Sequence, residues 1–218
     1  TKVAKTNKAG TYRVASLSLK PDNILCPGAK AAGCLDSCLM HSGRGVFPNV
    51  IAGRQWRAEL WHQDREQFIT RLKKELTQFE KTCLKAGVKP AARLNVLSDI
   101  DWTKYGIPQA FPGIFFFDYT KVAAKLGNTP DNYRLIFSYS GRDQYQRQVN
   151  RALKTAAPVA VVFRGKFPAQ FLGRPVIDGD KSDLINVNAG PVIIGLKAKG
   201  KPAKTENNGF IVDADKIP

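Results

Sequence analysis

Six short, mostly apolar runs, each followed by polar side chains, constrain the fold of this chain more than any other feature. Runs without strict alternation are typical of strands that are buried on both faces of a parallel sheet. The runs cover residues 92–97, 114–117, 134–137, 159–163, 175–177 and 191–196. Together with an alternating run at residues 12–19, they predict an α/β protein with mainly parallel strands.

A long amphipathic helix is predicted between Arg65 and Ala86. Asp64 is a suitable N-cap and Gly87 a suitable C-cap for it. Cys83 falls on the apolar face of this helix, which predicts that it packs in the core and binds no metal. The apolar residues that recur at helical spacing are Phe68, Leu72, Leu76, Phe79 and Cys83.

The number of strand–helix units is too small for a complete (β/α) barrel. A closed barrel of eight units usually needs about 250 residues, whereas this chain has 218. The segments 165–174 and 179–190 show no helical pattern. The sequence therefore predicts a single α/β domain over residues 11–218, folded as a partial or eroded (β/α) barrel. Residues 1–10, which are polar and rich in lysine, are predicted to form a mobile basic arm.

Three of the four cysteines lie close together in the sequence, with the spacing C-x7-C-x3-C. Gly28 and Gly33 interrupt any helix between Cys26 and Cys34, while Cys34 and Cys38 would share one face of a helical turn. A loop that brings one thiol back to two others is suited to a metal ion or cluster. The alternative is three separate buried cysteines, a common place for this residue.

Two metal centres fit the three thiols. Cys26, Cys34 and Cys38 can bind a [4Fe–4S] cluster and leave one iron open for another ligand. With His41 as a fourth ligand, they can instead form a closed structural zinc site.

The net charge of +16, from 34 Lys and Arg against 18 Asp and Glu, predicts a polyanionic partner such as DNA or RNA. General solubility is the alternative explanation. The side chains expected to contact phosphates are Arg44, Lys197, Lys199, Lys201 and Lys204. No apolar run is long enough for a transmembrane helix, and clustered free thiols favour a reducing, cytoplasmic compartment.

In βα architectures the working face lies at the carboxyl ends of the strands. Polar residues that follow the apolar runs are therefore expected to share a pocket with the cysteine loop (residues 26–38). The catalytic candidates are Asp99, Asp118, Lys121, Ser138, Arg164 and Asp178. The cofactor-binding candidates are Asn95, Ser98 and Asp99. A second acidic group, suited to Mg2+, comprises Asp178, Asp180 and Asp183.

Several segments resemble a family of phage and plasmid gene products, and the likeness extends over nearly the whole chain. They comprise residues 26–45, 94–102, 117–121, 137–140, 161–164, 178–183 and 195–200. The resemblance implies a phage- or plasmid-type protein and no particular activity.

The cysteine loop and the βα units after it also resemble, more remotely, the radical S-adenosylmethionine enzymes. That resemblance implies a partial barrel, a [4Fe–4S] cluster and S-adenosylmethionine as a further cofactor. The chain departs from that family in its cysteine spacing, which is C-x3-C-x2-C there. Leu97, Ser98 and Asp99 also replace the family's Gly-Gly-Glu segment.

These observations favour an Fe–S protein of phage or plasmid type that acts on or binds nucleic acid. One alternative is a non-enzymatic nucleic-acid-binding protein with a structural zinc on Cys26, Cys34, Cys38 and His41. Another is a metal-dependent nuclease that uses Asp99, Asp118, Asp178 and Asp180.

Overall fold

The computed structural model describes residues 10–35, 37–41, 43–199 and 208–217. Nearly all of the predicted basic arm at residues 1–10 therefore lies outside the described residues. The strands are β1 (Tyr12–Ser16), β2 (Lys89–Arg93), β3 (Phe115–Thr120), β4 (Tyr133–Ser138), β5 (Val159–Arg164), β6 (Gln170–Phe171), β7 (Arg174–Asp178), β8 (Ile193–Lys197) and β9 (Ile211–Asp213).

The α-helices are α1 (Ala29–Ala32), α2 (Pro48–Gln63), α3 (Arg65–Lys85), α4 (Ile107–Ala110), α5 (Gln146–Leu153) and α6 (Asp183–Val187). Short 3-10 helices occupy Leu39–His41, Gly43–Val46, Trp102–Tyr105, Ala123–Gly127, Asp143–Tyr145 and Ala214–Lys216. Helix α6 corrects the expectation that residues 179–190 lack a helix.

The described strands form one nine-stranded sheet in the order β1-β2-β3-β4-β5-β8-β7-β6, with β9 beside β5. Every pairing is parallel except that of β6 with β7. The predicted α/β fold with mainly parallel strands is confirmed. Because β1 and β6 lie at opposite ends of the strand order, the sheet is open and does not close into a barrel.

Both faces of the sheet are buried, which explains the unbroken apolar runs. Successive strand residues point to opposite faces: Phe116 packs into one apolar cluster and Phe117 into another. Helices α2 and α3 cover the Phe116 side through Trp61 and Phe68. The Phe117 side packs against Val187 of helix α6.

Helix α3 agrees closely with its sequence pattern. The Asp64 carboxylate accepts a hydrogen bond from the backbone N–H of Gln67 at 2.9 Å and caps the helix. Cys83 is fully buried on the inner face, so the prediction that it packs in the core is confirmed. The helix ends at Lys85, just before β2 begins, and so delivers the chain to the edge of the sheet where the parallel strands start.

Candidate functional site

The cysteine loop crosses the edge of the sheet formed by the carboxyl ends of the parallel strands, which we call the carboxyl edge. Long-range hydrogen bonds attach the segment 25–32 to this edge, including one at each of its ends. The backbone N–H of Asp99, after β2, donates to the Leu25 carbonyl at 2.7 Å. The Ser140 hydroxyl, after β4, donates to the Ala32 carbonyl at 2.8 Å.

All three cysteines of the loop are half-buried and free of disulfide bonds. Burial raises the pKa of the Cys26 thiol to about 12, with further upward contributions from the thiols of Cys34 and Cys38. Burial also raises the pKa of Cys38, again with a contribution from Cys34. The three thiols therefore influence one another electrostatically, and because both shifts are upward, the Cys26 and Cys38 thiols are protonated at neutral pH.

Two cations oppose these upward shifts. The Lys121 ammonium favours the thiolate forms of both Cys26 and Cys38, and Arg54 favours that of Cys38. Among the described residues, however, no three His, Cys, Asp or Glu side chains are grouped tightly enough to bind a metal ion. His41 is exposed. Metal binding by Cys26, Cys34 and Cys38 therefore remains a prediction. It would require the three thiols to approach one another.

Lys121, directly after β3, is a buried cation, and the residue is only 7% exposed. Its ammonium donates to the Ser138 hydroxyl at 2.5 Å and lies 4.5 Å from the centre of the Phe210 ring. No carboxylate of the described residues comes within 4.0 Å of it. The Tyr145 hydroxyl donates to the Lys121 carbonyl and fixes the backbone there.

Asp99 is the most fully engaged acid of the carboxyl edge. One carboxylate oxygen accepts from the Lys125 ammonium at 2.8 Å, and the other accepts from the Lys121 N–H at 2.7 Å and from the Thr120 hydroxyl at 3.2 Å. Burial raises the pKa of Asp99, and Lys125 opposes that shift. Asp99 also contributes to the pKa of Cys26, so it belongs to the cysteine site.

The predicted cofactor residues Asn95 and Ser98 hold a turn together. The Asn95 side-chain oxygen accepts from the Ser98 hydroxyl at 2.8 Å and from the Ile100 N–H at 3.0 Å. Its amide group donates to the Ile100 carbonyl at 2.9 Å. Both side chains are buried, and these polar atoms satisfy the backbone of the turn that carries Asp99.

Asp118 lies inside β3 rather than after it. Its carboxyl oxygens accept from the Asn95 N–H at 2.7 Å and the Tyr133 hydroxyl at 3.0 Å. Burial raises its pKa to about 7. Asp118 therefore does not lie in a polar segment after its strand, as the sequence predicted, but is a buried acid within β3, below the carboxyl edge.

The acids expected to share a pocket with the cysteine loop do not line the two cavities beside it, apart from Asp99. Asp178 ends β7, two strand positions beyond β5, and accepts the Asp180 N–H at 2.9 Å. Asp180 pairs with Lys199 at 2.6 Å. Asp183 binds Arg93 and the Tyr119 hydroxyl. Asp178 and Asp180 therefore stabilise one turn after β7, and Asp183 connects the start of α6 to β2 and β3.

The predicted phosphate contacts are also partly engaged within the chain. Lys197 donates to the Gly165 carbonyl at 2.7 Å and lies over the Phe167 ring. Arg164, a catalytic candidate, lies 3.9 Å from Asp213. Arg44 is exposed in a 3-10 helix. Lys201 and Lys204 lie outside the described residues.

Two cavities lie beside the cysteine loop. One, of about 540 Å3, contains Asp99 and Lys125 together with Trp61 and Tyr105. The other, of about 550 Å3, contains Cys26, Lys30 and Arg142. The sequence analysis did not identify Lys125 and Arg142 as site residues. The local signals for them are weak: Lys125 lies four residues after Lys121, and Arg142 lies shortly after strand β4.

The fold and site define an open, mainly parallel α/β protein with three free cysteines at the carboxyl edge. The chain matches the family model of gene product 88 over residues 1–214, and it belongs to that family. No curated protein and no solved structure matches it. Across the described segments, no helix has the length and apolar character needed to span a membrane.

Proposed function

We propose that this gene product 88 protein binds a [4Fe–4S] cluster through Cys26, Cys34 and Cys38, and that it binds or acts on nucleic acid in the host cytoplasm. Such a cluster supplies one-electron redox chemistry or an open iron for a further ligand. The fold proposed here is an incomplete (β/α) barrel, supported by β1 to β5 following one another in sequence order before β8 joins.

The observation that carries the metal assignment is the buried ammonium of Lys121 facing the cysteine loop. Burying a charge is unfavourable unless it is paired, and the described partners of this ammonium, the Ser138 hydroxyl and the Phe210 ring, carry no negative charge. Metal binding deprotonates cysteine ligands. The resulting thiolates of Cys26 and Cys38 would supply the negative charge that this ammonium lacks among the described residues.

The protonation state of the thiols predicts how cluster binding should depend on pH. Thiol protons must leave when a cluster binds, so cluster affinity should fall as the pH is lowered. Hydrogen bonds at the Leu25 and Ala32 carbonyls hold this part of the loop, which contains Cys26, on the carboxyl edge. Cluster binding would then require Cys34 and Cys38 to approach Cys26. Cys83 is excluded as a ligand because it is buried on α3, where Arg13 and Glu80 are its charged neighbours.

The rival assignments have less support. A zinc site needs His41, which is exposed and contributes to the pKa of neither Cys26 nor Cys38. A nuclease would need neighbouring carboxylates, whereas Asp99, Asp118 and Asp178 are separately engaged. S-adenosylmethionine is not included in the proposal, since Asn95 and Ser98 use their polar groups within a turn.

Nucleic-acid binding should depend strongly on salt. We expect the logarithm of affinity to fall with the logarithm of salt concentration, with a slope of roughly −0.7 to −0.9 for each phosphate neutralised. Replacing Lys201 and Lys204 together by glutamine should make the slope shallower by about one to two units. Fluorescence anisotropy with labelled DNA and RNA oligonucleotides measures this.

The matched control replaces Lys73 and Lys74, which lie on the exposed face of α3, and it should leave the slope unchanged. Lys197 and Lys199 are unsuitable for this test because their ammonium groups are held by Gly165 and Asp180. Absence of binding at about 50 mM salt, where phosphate contacts are little screened, would contradict the nucleic-acid half of the proposal.

A further inference from the structure

The cavity that contains Cys26 is distinguished by its charge. Of the described residues that line it, two are cations, Lys30 and Arg142, and none is an acid; the others are Asn23, Cys26, Gly28, Ala31 and Gln144. Neither cation has a carboxylate within 4.0 Å among the described residues. The cavity therefore presents two cations that form no ion pair with a described residue.

Arg142 is held in a fixed position. Its Nε donates to the Asn208 carbonyl at 2.8 Å, and one terminal nitrogen donates to the Lys30 carbonyl at 3.1 Å. A Cβ atom at Gly33 would lie 2.8 Å from the Arg142 Nε, and one at Gly209 would lie 2.9 Å from the Arg142 Cγ. Only glycine permits this close approach, so the guanidinium is clamped between two backbone segments.

The clamped guanidinium keeps donors for a ligand. An arginine has five N–H donors in a planar fork, and the two bonds to backbone carbonyls use two of them. The remaining donors and the ammonium of Lys30 are suited to the oxygens of a phosphate or a carboxylate, which arginine binds in bidentate geometry. Because the donors are already oriented, binding would require little further ordering of the side chain.

The size of the cavity indicates the kind of molecule to which the phosphate or carboxylate group belongs. About 550 Å3 lies within the range of small-molecule sites and exceeds the volume that an isolated phosphate would fill. Asn23 and Gln144 add neutral amide groups to the lining. Gln144 is itself oriented by a hydrogen bond to the Ala31 carbonyl at 2.9 Å.

We propose that this cavity binds an anionic small molecule through a phosphate or carboxylate group held by Arg142 and Lys30, beside the thiol of Cys26. The proposal does not depend on a metal at the cysteines. Arg142 would make the specific hydrogen bonds to the ligand. Lys30 is exposed and would contribute mainly through its charge.

Isothermal titration calorimetry on the full chain at low ionic strength tests the proposal. The probes are inorganic pyrophosphate, AMP and citrate, so that the phosphate and carboxylate sources are distinguished. At least one probe should bind saturably. The Arg142→Gln variant should lose about 10- to 100-fold in affinity, as expected for charge-assisted hydrogen bonds. The Lys30→Gln variant should lose about 2- to 5-fold, because its charge is screened by solvent.

The control is Lys85→Gln, which removes the same charge at the end of α3, next to the opposite edge of the sheet; it should bind each probe as the unmodified chain does. Lys30→Gln keeps the test decisive if Arg142→Gln does not fold, because the Lys30 ammonium makes no hydrogen bond to a described residue. The proposal is overturned if no probe binds below about 5 mM. It is equally overturned if the Lys30 and Lys85 variants lose affinity by the same factor.

Discussion

Replacing Cys26, Cys34 or Cys38 by alanine, one at a time, is expected to abolish iron binding and the brown colour of the anaerobically purified protein. Three protein thiolates are the minimum that holds a [4Fe–4S] cluster with one open iron, so the loss of any one should eliminate most of the bound iron. The measurement is the iron content per chain together with the visible absorption spectrum.

Cys83→Ala is the matched control for the cysteine variants. Cys83 is fully buried on α3, so its truncation leaves a small cavity and lowers stability without touching the cysteine loop. The Cys83 variant should therefore melt at a lower temperature and still retain its iron. An equal loss of iron in all four variants would indicate an unspecific effect of destabilisation, and full retention by any of the three loop variants would contradict the ligand assignment.

Replacing Lys125 by methionine is expected to destabilise the fold by about 3–5 kcal/mol, because it leaves a buried Asp99 carboxylate without its cation. The Lys125 ammonium lies 2.8 Å from the carboxylate, and the two side chains are 16% and 3% exposed. A loss of this size is a large fraction of the total stability of a typical domain, which is about 5–15 kcal/mol. Urea unfolding followed by tryptophan fluorescence measures it.

The sign of the pH dependence gives a second criterion for Lys125→Met. Burial already raises the pKa of Asp99 above its ordinary value of 3.8, and loss of Lys125 should raise it further. A carboxyl group with a raised folded-state pKa is most favourable to stability at low pH, and that contribution is lost as the pH rises through the folded-state pKa. The deficit of the variant should therefore shrink as the pH is lowered.

Lys104→Met controls for the loss of a charge, because Lys104 is exposed and lines the same cavity as Lys125. It should change the free energy of unfolding by less than about 1 kcal/mol. The double variant Asp99→Asn with Lys125→Met should recover part of the lost stability, since no isolated charge then remains. Equal losses for Lys104→Met and Lys125→Met would contradict the structural role given to this ion pair.

The fold was predictable wherever a pattern reflects local burial. The run at residues 114–117 lacks alternation because Phe116 and Phe117 enter cores on opposite faces of the sheet. Helix α3 was predictable because its cap and its apolar spacing are both local. The strand order was not, because β8 lies between β5 and β7 and no sequence pattern encodes that insertion.

The site was harder to predict, because its contacts depend on register and on distant segments. Asp118 follows an apolar run in the sequence, yet β3 continues to Thr120, so this carboxyl lies within the strand. Arg142 is oriented by the carbonyls of Lys30 and Asn208, which are 112 and 66 residues away. The cysteine spacing, by contrast, is local: it correctly indicated a loop at the carboxyl edge, while the binding of a metal by its three thiols stays a prediction.

Iron and acid-labile sulfide in anaerobically purified protein, measured together with the absorption spectrum, provide the most direct test of the proposed cluster. We expect about four irons and about four sulfides per chain, with broad absorption near about 400 nm from thiolate-to-iron charge transfer. A colourless protein that contains one zinc per chain, or one that takes up no iron when cluster assembly is attempted with iron and sulfide, would contradict the assignment.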